Sequence, residues 1–500
     1  MEQYDVIIVG AGGSGLAAAV RAAQLKCSVL VLEKQSQAGG TTGIAVGSFT
    51  ANRTRHQEQA AINDTLEHHA KDAGRFAPGT IEAKNNPERR RQFLDESAAT
   101  LHWLESMGLH FSGPHPEPPN RVPRMHNVIP GAKTYIRILS AQLQRLGGAI
   151  KLSAPVSELI QQNSRVTGVH YQEKGESRKA FARLGVVLAA GDYANGSDLI
   201  AQHKGPEFAN VEGINPKATG EGHKLARSVG AQLLNMDVTY GPELRFVAPR
   251  ANVQWTQLAA RLPIPSPLSA LIANHAPEWL IRIWAKRMLV TWQHPEDQLF
   301  ADGAILINQS GARFCDEQTT PDRELAVASQ QPKHAYILLD QTLIERYSQW
   351  PHFISTAPEI AYAYVRDYLR LRPDVAVSGS TLEEVATKRG LPPAEIAKTV
   401  EAYNRNARAG QNAPDSSPRP LQGKQWVLLG PAKAYFTTTE GGVAIDDQCR
   451  ALRGNGSVIE GLYAVGQNGL GGQILWGHGL HIAWAMTSGR LVGEHLAAQK

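Results

Sequence analysis

Apolar residues run unbroken from Val6 to Val9 in "DVIIVG", a pattern that suits a parallel strand buried on both faces. After a glycine-rich turn the pattern becomes helical in "LAAAVRAAQL", and "SVLVLE" then reads as a second strand that ends on Glu33. Near the other end of the chain, "LYAVG" predicts a strand. It is followed by the glycine-rich "GGQILWGHG" and a helix carrying Leu480, Ile482, Ala483, Trp484, Met486 and Leu491. Glycine is a poor helix former, so a helix entered through so many glycines implies that something approaches this backbone closely. The segment Pro267 to Val290, rich in Trp and Arg/Lys, is expected to be an amphipathic helix closing over a pocket, with contact at a membrane surface as the alternative.

The strand–turn–helix–strand unit places Gly10, Gly12 and Gly15 in a GxGxxG pattern. Gly10 makes the turn, Gly12 lets backbone N–H groups reach a pyrophosphate, and Gly15 packs helix on strand. The helix N-terminus supplies partial positive charge, and Glu33 can accept both hydrogens of a ribose diol. Glu33 would repel the extra phosphate of NADP, which leaves FAD and NAD. A second small-residue loop, "KQSQAGGTTGIAVGSFT" from Lys34 to Thr50, offers the further close approach that a long FAD molecule needs. No second complete GxGxxG unit is present, so a separate nicotinamide domain is not expected.

Composition narrows the class. With 500 residues, 42% hydrophobic and 19% charged, the chain can bury a large core and reads as a globular enzyme of two or more domains. A net charge of +5, from 51 basic and 46 acidic residues, is no nucleic-acid signature. The only tight basic run, Arg89 to Arg91, is expected to be a solvated helix face, and the proline-rich Gly113 to Arg124 a surface loop and nothing more. Cys27, Cys315 and Cys449 form neither a disulfide framework nor a metal cluster, and His68 and His69, adjacent on a predicted helix, face different ways, so no metal is expected. The N-terminus lacks a signal pattern and no stretch is apolar enough to span a membrane; a cytoplasmic setting fits.

Beyond the first motif the chain resembles the fumarate reductase and 3-ketosteroid dehydrogenase superfamily of FAD flavoproteins. Blocks carrying the resemblance include "EKQSQAGGTTGIAVG", "VVLAAGDYANG", "TGEGHKLARSVGAQLLNMD", "GAILINQSGARFCDE" and "IEGLYAVGQ". It implies an α/β fold: a discontinuous Rossmann-like FAD-binding domain, residues 1–236 and 430–500, with an inserted α+β capping domain, 237–429. The resemblance places Gly10, Gly12, Gly13, Ser14, Gly15, Glu33, Lys34, Gly40, Thr41, Thr42 and Gly43 around the cofactor. It adds Val156 at the adenine, Ala190, Gly191 and Asp192 along the cofactor, and Gly466 and Gln467 at the ribityl chain. The Gly479 and Leu480 N–H groups are expected at the flavin O2 edge, where a helix N-terminus stabilises the reduced form. Thr41 stands where some relatives carry a covalently linked histidine, so the FAD is expected to be non-covalent.

The dicarboxylate reductases of this superfamily use arginines and histidines that are not found at the matching positions. Pro321 replaces the proton-donating arginine, "FTTTEGG" (Phe436 to Gly442) the histidine-bearing segment, and Trp476 a carboxylate-clamping arginine. The expected function is therefore an FAD-dependent dehydrogenase introducing a C=C bond next to the carbonyl of an apolar cyclic or steroid-like ketone. The alternative is an ene-reductase of an enone or unsaturated acid fed by an external electron donor. A flavin-carrying sensor without turnover is a third class. Tyr435, His478 and Gly479 are the candidate catalytic residues, with Asp322 and Arg323 as further candidates. His478 is expected to be kept neutral by the helix start, and either to act on substrate or merely to cap the helix.

Overall fold

The computed structural model describes residues 2–248, 286, 290–291, 294–357, 361–410 and 419–500. Most of the amphipathic segment expected over Pro267 to Val290 lies outside the described residues.

The first unit is as the pattern predicts: strand β1 (Glu2–Val9), helix α1 (Gly13–Gln24) and strand β2 (Val29–Leu32), with Val6 to Val9 and all of β2 buried. These strands pair in parallel, Val6 opposite Val29 and Val9 opposite Leu32. The strand Glu176–Leu188 adds to the other side of β1, and Val458–Ala464 adds to that, both in parallel, while Ala149–Lys151 extends the β2 side. The register puts Val9, Leu188 and Ala464 level, so the carboxyl ends of strands from distant parts of the chain open on one edge, where ligands of open α/β sheets bind. The domain is thus discontinuous, its last parallel strand coming from the C-terminal part of the chain.

A second, mainly antiparallel six-stranded sheet forms the cap. Its longest strand, Trp426–Phe436, pairs with Glu243–Phe246, Ala335–Asp340 and Ala376–Gly379. That strand runs through position 430, where the sequence reading placed the return to the first domain, and belongs to the cap sheet along its whole length. The architecture is the expected mixed α/β fold with a capping domain.

Three glycines mark close backbone approaches, and the last of them shows why the first and last parts of the chain meet. Gly10 has φ +110°, and a Cβ there would sit 2.4 Å from the Ala189 carbonyl oxygen, while one at Gly15 would sit 2.0 Å from the Gly10 carbonyl oxygen. In the C-terminal helix, Leu480–Ala498, a Cβ at Gly489 would lie 2.4 Å from the Ser14 carbonyl oxygen. Helix α1 and the C-terminal helix therefore touch backbone to backbone. No described helix is long and apolar enough to cross a membrane.

Two surface expectations are overturned. Within the Arg89 to Arg91 run only Arg91 is exposed; Arg90 is buried and pairs with Glu82, since the helix Pro87–Ser106 turns that side inward. The proline-rich segment is no mere surface loop. Arg124 is fully buried, donating from Nε and Nη2 to Asp64 at 2.6 and 2.7 Å and from Nη1 to Asp72 at 2.7 Å. His69 is buried beside this cluster, its Nδ1 2.9 Å from Asn52 Nδ2, and burial brings its pKa down to about 3; His68 is exposed. Removing one partner of a buried ion pair strands the other charge, so Arg124→Ala is expected to destabilise the protein by about 3–5 kcal/mol. Equilibrium unfolding in urea measures this, and a loss typical of an exposed arginine would show that the cluster is solvated.

Candidate active site

At the strand edge Gly12 precedes α1 as its N-cap, and no side chain caps the helix. A Cβ at Gly12 would meet nothing closer than 3.9 Å, and one at Gly191, where φ is +80°, nothing within 4 Å. The two glycines thus leave open space beside a helix N-terminus, the arrangement that receives a pyrophosphate. Gly13 faces Thr42 and Met486, and at Gly40 (φ +55°) a Cβ would sit 3.2 Å from the Gly12 Cα. Gly43 N–H donates to the Gly39 carbonyl at 3.0 Å, closing that loop.

Glu33 is buried at the end of β2. Its Oε2 accepts the Ala11 N–H and its Oε1 the Gln35 N–H, both at 2.8 Å, so it braces the turn. Lys34 turns its amine to Glu221 Oε1 at 2.8 Å and Thr219 Oγ1 at 2.9 Å. Val156 begins the strand Val156–Gln162, two residues after Ala154, whose N–H donates to the Glu33 carbonyl. Thr41 Oγ1 accepts from Asn215 Nδ2 at 2.9 Å and donates to Asp192 Oδ2 at 3.5 Å. Burial pushes the Asp192 carboxyl up, against the lowering effect of the Ala194 N–H and of the His481 charge.

Ala190 N–H donates to Asn468 Oδ1 at 3.3 Å, which ties the Ala190–Asp192 turn to the turn after Val458–Ala464. There Gly466 (φ +58°) is pinned between Ser14 and Ser488, its N–H donating to Ser488 Oγ at 2.9 Å. Gln467 Nε2 donates to Thr438 Oγ1 at 2.7 Å and the Thr439 carbonyl at 2.9 Å. Gln467 Oε1 and Asn468 Nδ2 are buried without a protein partner, an acceptor and a donor set in the cradle where a polar ligand satisfies them. Together with the space at Gly12 and Gly191, these atoms fit FAD.

Gly479 caps the C-terminal helix with φ +81°, and a Cβ there would lie 2.9 Å from Thr50 N. The close approach implied by the glycines is thus to Thr50, whose N–H donates to the Gly479 carbonyl at 3.4 Å and whose Oγ1 donates to the His478 carbonyl at 2.6 Å. Leu480 N–H turns back to the Gly477 carbonyl at 3.3 Å, rather than being left wholly for the flavin, whereas the Gly479 N–H meets no acceptor among the described residues.

His478 corrects two expectations. Its ring does not cap the helix: Glu117 Oε1 accepts both the His478 backbone N–H at 2.8 Å and the ring Nδ1–H at 2.6 Å. Nor does the helix start set its titration. Crowding lowers its pKa, but the hydrogen bond and charge of Glu117 outweigh this and raise it above the ordinary histidine value. The ring stays 60% exposed, while Glu117 is buried. Glu117 comes from the proline-rich segment and lies 361 residues away in sequence.

Five more residues at this cleft were not found in the sequence. Arg245 donates to Glu243 Oε2 at 2.8 Å and Thr437 Oγ1 at 3.1 Å, and Tyr240 packs edge-on to Trp476 with ring centroids 5.1 Å apart. Burial would raise Glu243, but Arg245 and His294 outweigh it and hold it below the usual carboxylate range. Buried Glu440 accepts His481 Nε2–H on Oε1 at 2.8 Å and the Leu475 N–H on Oε2 at 3.1 Å. Of these, His481 falls at the start of the C-terminal helix, just after the glycine-rich stretch, and Glu440 in the "FTTTEGG" segment that lacks a histidine.

Tyr435 sits opposite Glu243 on one neighbouring strand and Glu212 on another. Burial and the Glu212 charge push its phenol up to about 12, so at neutral pH it stays protonated and cannot serve as a ready base. Pro321 and Asp322 are exposed. Arg323 is overturned as a candidate: it is buried against Asp297, Glu324 and the Phe300 ring, inside the cap.

Comparison with known proteins agrees with an FAD-binding fold. The chain is 25% identical to a probable fumarate reductase of Shewanella frigidimarina, over 99% of this chain and 75% of that protein. It is 24% identical to the 3-oxosteroid 1-dehydrogenase of Mycobacterium tuberculosis, over 100% of this chain and 99% of that protein. Its fold matches the open conformation of a flavocytochrome c3 fumarate reductase with a TM-score of 0.71 at 23% identity, covering 99% of this chain and 78% of that one. For the cradle, Glu33→Ala is expected to weaken FAD binding to the apoprotein by about 1–3 kcal/mol, through a lost charge-assisted hydrogen bond and a loosened turn. Fluorescence titration measures this, and an unchanged affinity would mean that the ribose is held elsewhere. The FAD binding domain family matches residues 5–246 and 279–474, most of the sequence, and the chain belongs to that family.

Proposed function

We propose that this FAD-dependent oxidoreductase, binding its cofactor without a covalent bond, introduces a C=C bond next to the carbonyl of an apolar cyclic ketone. The observation that carries this reading is Glu117 Oε1 held by both the backbone and the ring of His478, next to the Gly479 N–H. When bound, FAD supplies hydride exchange with a substrate carbon. The chain's own part is to polarise the carbonyl: the Gly479 N–H and a protonated His478 are two donors for one oxygen, they acidify the neighbouring C–H by stabilising the enolate, and the released proton passes to solvent. Glu117 keeps the imidazole charged and aimed. Trp476 and Tyr240 offer aromatic walls to the body of the substrate.

A dicarboxylate suits the cleft less well. Arg245 is already bonded to Glu243 and Thr437, and the matched positions hold Pro321 and Trp476. A second carboxylate would enter partly desolvated and without its own cation, which costs several kcal/mol. The same His478 observation also favours a second reading, reduction of an enone by an external electron donor, since a protonated donor serves both directions of one reaction.

Anaerobic stopped-flow absorbance tests the proposal. Saturated cyclic ketones should bleach the flavin, and succinate should not. Because the His478 pKa is raised, its donor form persists to higher pH than in a free histidine, and the ketone rate should fall as pH rises through that pKa. Glu117→Gln removes the raising cause and should move this fall to lower pH. His478→Ala should slow flavin reduction by about 10²–10³-fold with FAD still bound. Rapid bleaching by succinate, or an alkaline limb that Glu117→Gln leaves in place, would overturn it.

A further inference from the structure

The proline-rich segment that carries Glu117 is held in place by one buried carboxylate. Asp72, near the end of the helix Leu66–Ala73, is fully buried and lies among three guanidinium groups. Arg124 Nη1 is 2.7 Å from its Oδ2, Arg121 Nη2 2.9 Å from its Oδ1, and Arg75 Nη1 3.8 Å from its Oδ1. Burial would raise the Asp72 carboxyl, but the hydrogen bonds from Arg121 and Arg124 outweigh it and hold the group well below the usual carboxylate range.

This cluster grips three successive residues of the segment. Arg75 Nη1 donates to the Pro119 carbonyl at 3.2 Å, Arg124 Nη1 to Asn120 Oδ1 at 2.9 Å, and the Arg121 backbone N–H to Asp72 Oδ2 at 3.1 Å. From there two paths lead to His478. Asn120 N–H donates to the Glu117 carbonyl at 2.9 Å, and Asn120 Nδ2 donates at 3.4 Å to Glu117 Oε2, the carboxylate oxygen that His478 does not use. On the other side the Arg124 carbonyl accepts the Ala51 N–H at 3.1 Å, and the neighbouring Thr50 donates to the His478 carbonyl. The ring and the backbone of His478 are thus both set by groups anchored in one cluster. A buried ion cluster adds little stability over apolar packing of the same volume; what it can supply is one fixed arrangement.

We propose that Asp72 is a positioning residue for the candidate active site: by gathering Arg75, Arg121 and Arg124 against Pro119, Asn120 and Arg121, it places Glu117 and Thr50 and, through them, His478. Asn120 is the link on the Glu117 side. Its importance for turnover rests on the role of His478 proposed above, whereas the placement itself is measured without substrate. Crowding and Arg245 lower the His478 pKa, Glu117 and Glu243 raise it, and His294 feels the His478 charge. Of these groups Glu117 alone belongs to the segment that Asp72 clamps.

The test is the titration of the His478 imidazole in the oxidised holoprotein, followed by NMR of labelled histidine and assigned by the signal lost in His478→Gln. An opposite charge in contact changes proton affinity by about 10–10³-fold, so a loosened contact should lower that of His478 by about three- to tenfold in Asp72→Asn and in Asn120→Ala. In a Glu117→Gln background, Asn120→Ala should move the titration no further, because both changes act through one contact. A cluster that served stability alone would lower the unfolding midpoint of Asp72→Asn and leave the His478 titration in place. Asn120 is only partly buried and is no member of the ion pairs, so Asn120→Ala decides the matter if Asp72→Asn does not fold. An unchanged or increased His478 proton affinity in either folded variant, or a further shift on top of Glu117→Gln, would overturn the proposal. Ketones enter none of these measurements, so failure of the proposed reaction and failure of this placement are told apart.

Discussion

The contact on which the rest depends is the one between the first and last helices. Gly489 and Gly493 lay the C-terminal helix against the Ser14 and Ala18 carbonyl oxygens, where a Cβ would come within 2.4 and 2.9 Å. Ser488, on the same helix, accepts the Gly466 N–H, and Trp484 Nε1 donates to the Gly466 carbonyl at 3.1 Å. These bonds bring the starts of both helices to the edge where the parallel strands end. One cofactor can then meet the Gly12 turn and the Gly479 turn together. A larger side chain at either glycine would push the two halves of the cradle apart, because backbone has no alternative rotamer to adopt.

Around the cradle, charge is arranged in pairs whose members come from distant segments. Glu117 holds His478, Glu440 holds His481, and Glu243 holds Arg245. A buried charge needs a partner, and each pairing also aims the cation. Two of these basic side chains lie beside the Gly479 turn and the third on the cap sheet strand Glu243–Phe246, so cofactor domain and cap each contribute to one cleft. Such a cleft has hydrogen-bond donors to spare for one carbonyl oxygen and little uncompensated positive charge for two carboxylates.

The parts of this picture that were legible in the sequence are those written locally. Gly10, Gly12 and Gly15 mark a turn within six residues, and the structure gives each the spatial reason that the motif implies. Gly479 was also visible as an anomaly, although its nearest neighbour is Thr50 and not only a ligand. What stayed hidden depends on contacts far apart in sequence. Glu117 lies among prolines that look like a solvent-exposed loop, and nothing local shows that its carboxylate ends 2.6 Å from a ring 361 residues later. Arg245 and Glu243 are two charges on a short strand, a pattern shared by exposed hairpins. Arg90 was misread for the converse reason: three consecutive arginines suggest solvent, but a helix of 3.6 residues per turn points one of them inward.

The central claim is that Glu117, His478 and the Gly479 amide together receive a substrate carbonyl beside the flavin. A crystal structure of the oxidised holoprotein with a bound cyclic enone tests this most directly. The account predicts the enone oxygen within hydrogen-bond distance of both His478 Nε2 and the Gly479 N–H, with the Glu117–His478 contact retained. An enone whose oxygen is held elsewhere, or a His478 ring turned away from the ligand, would contradict it.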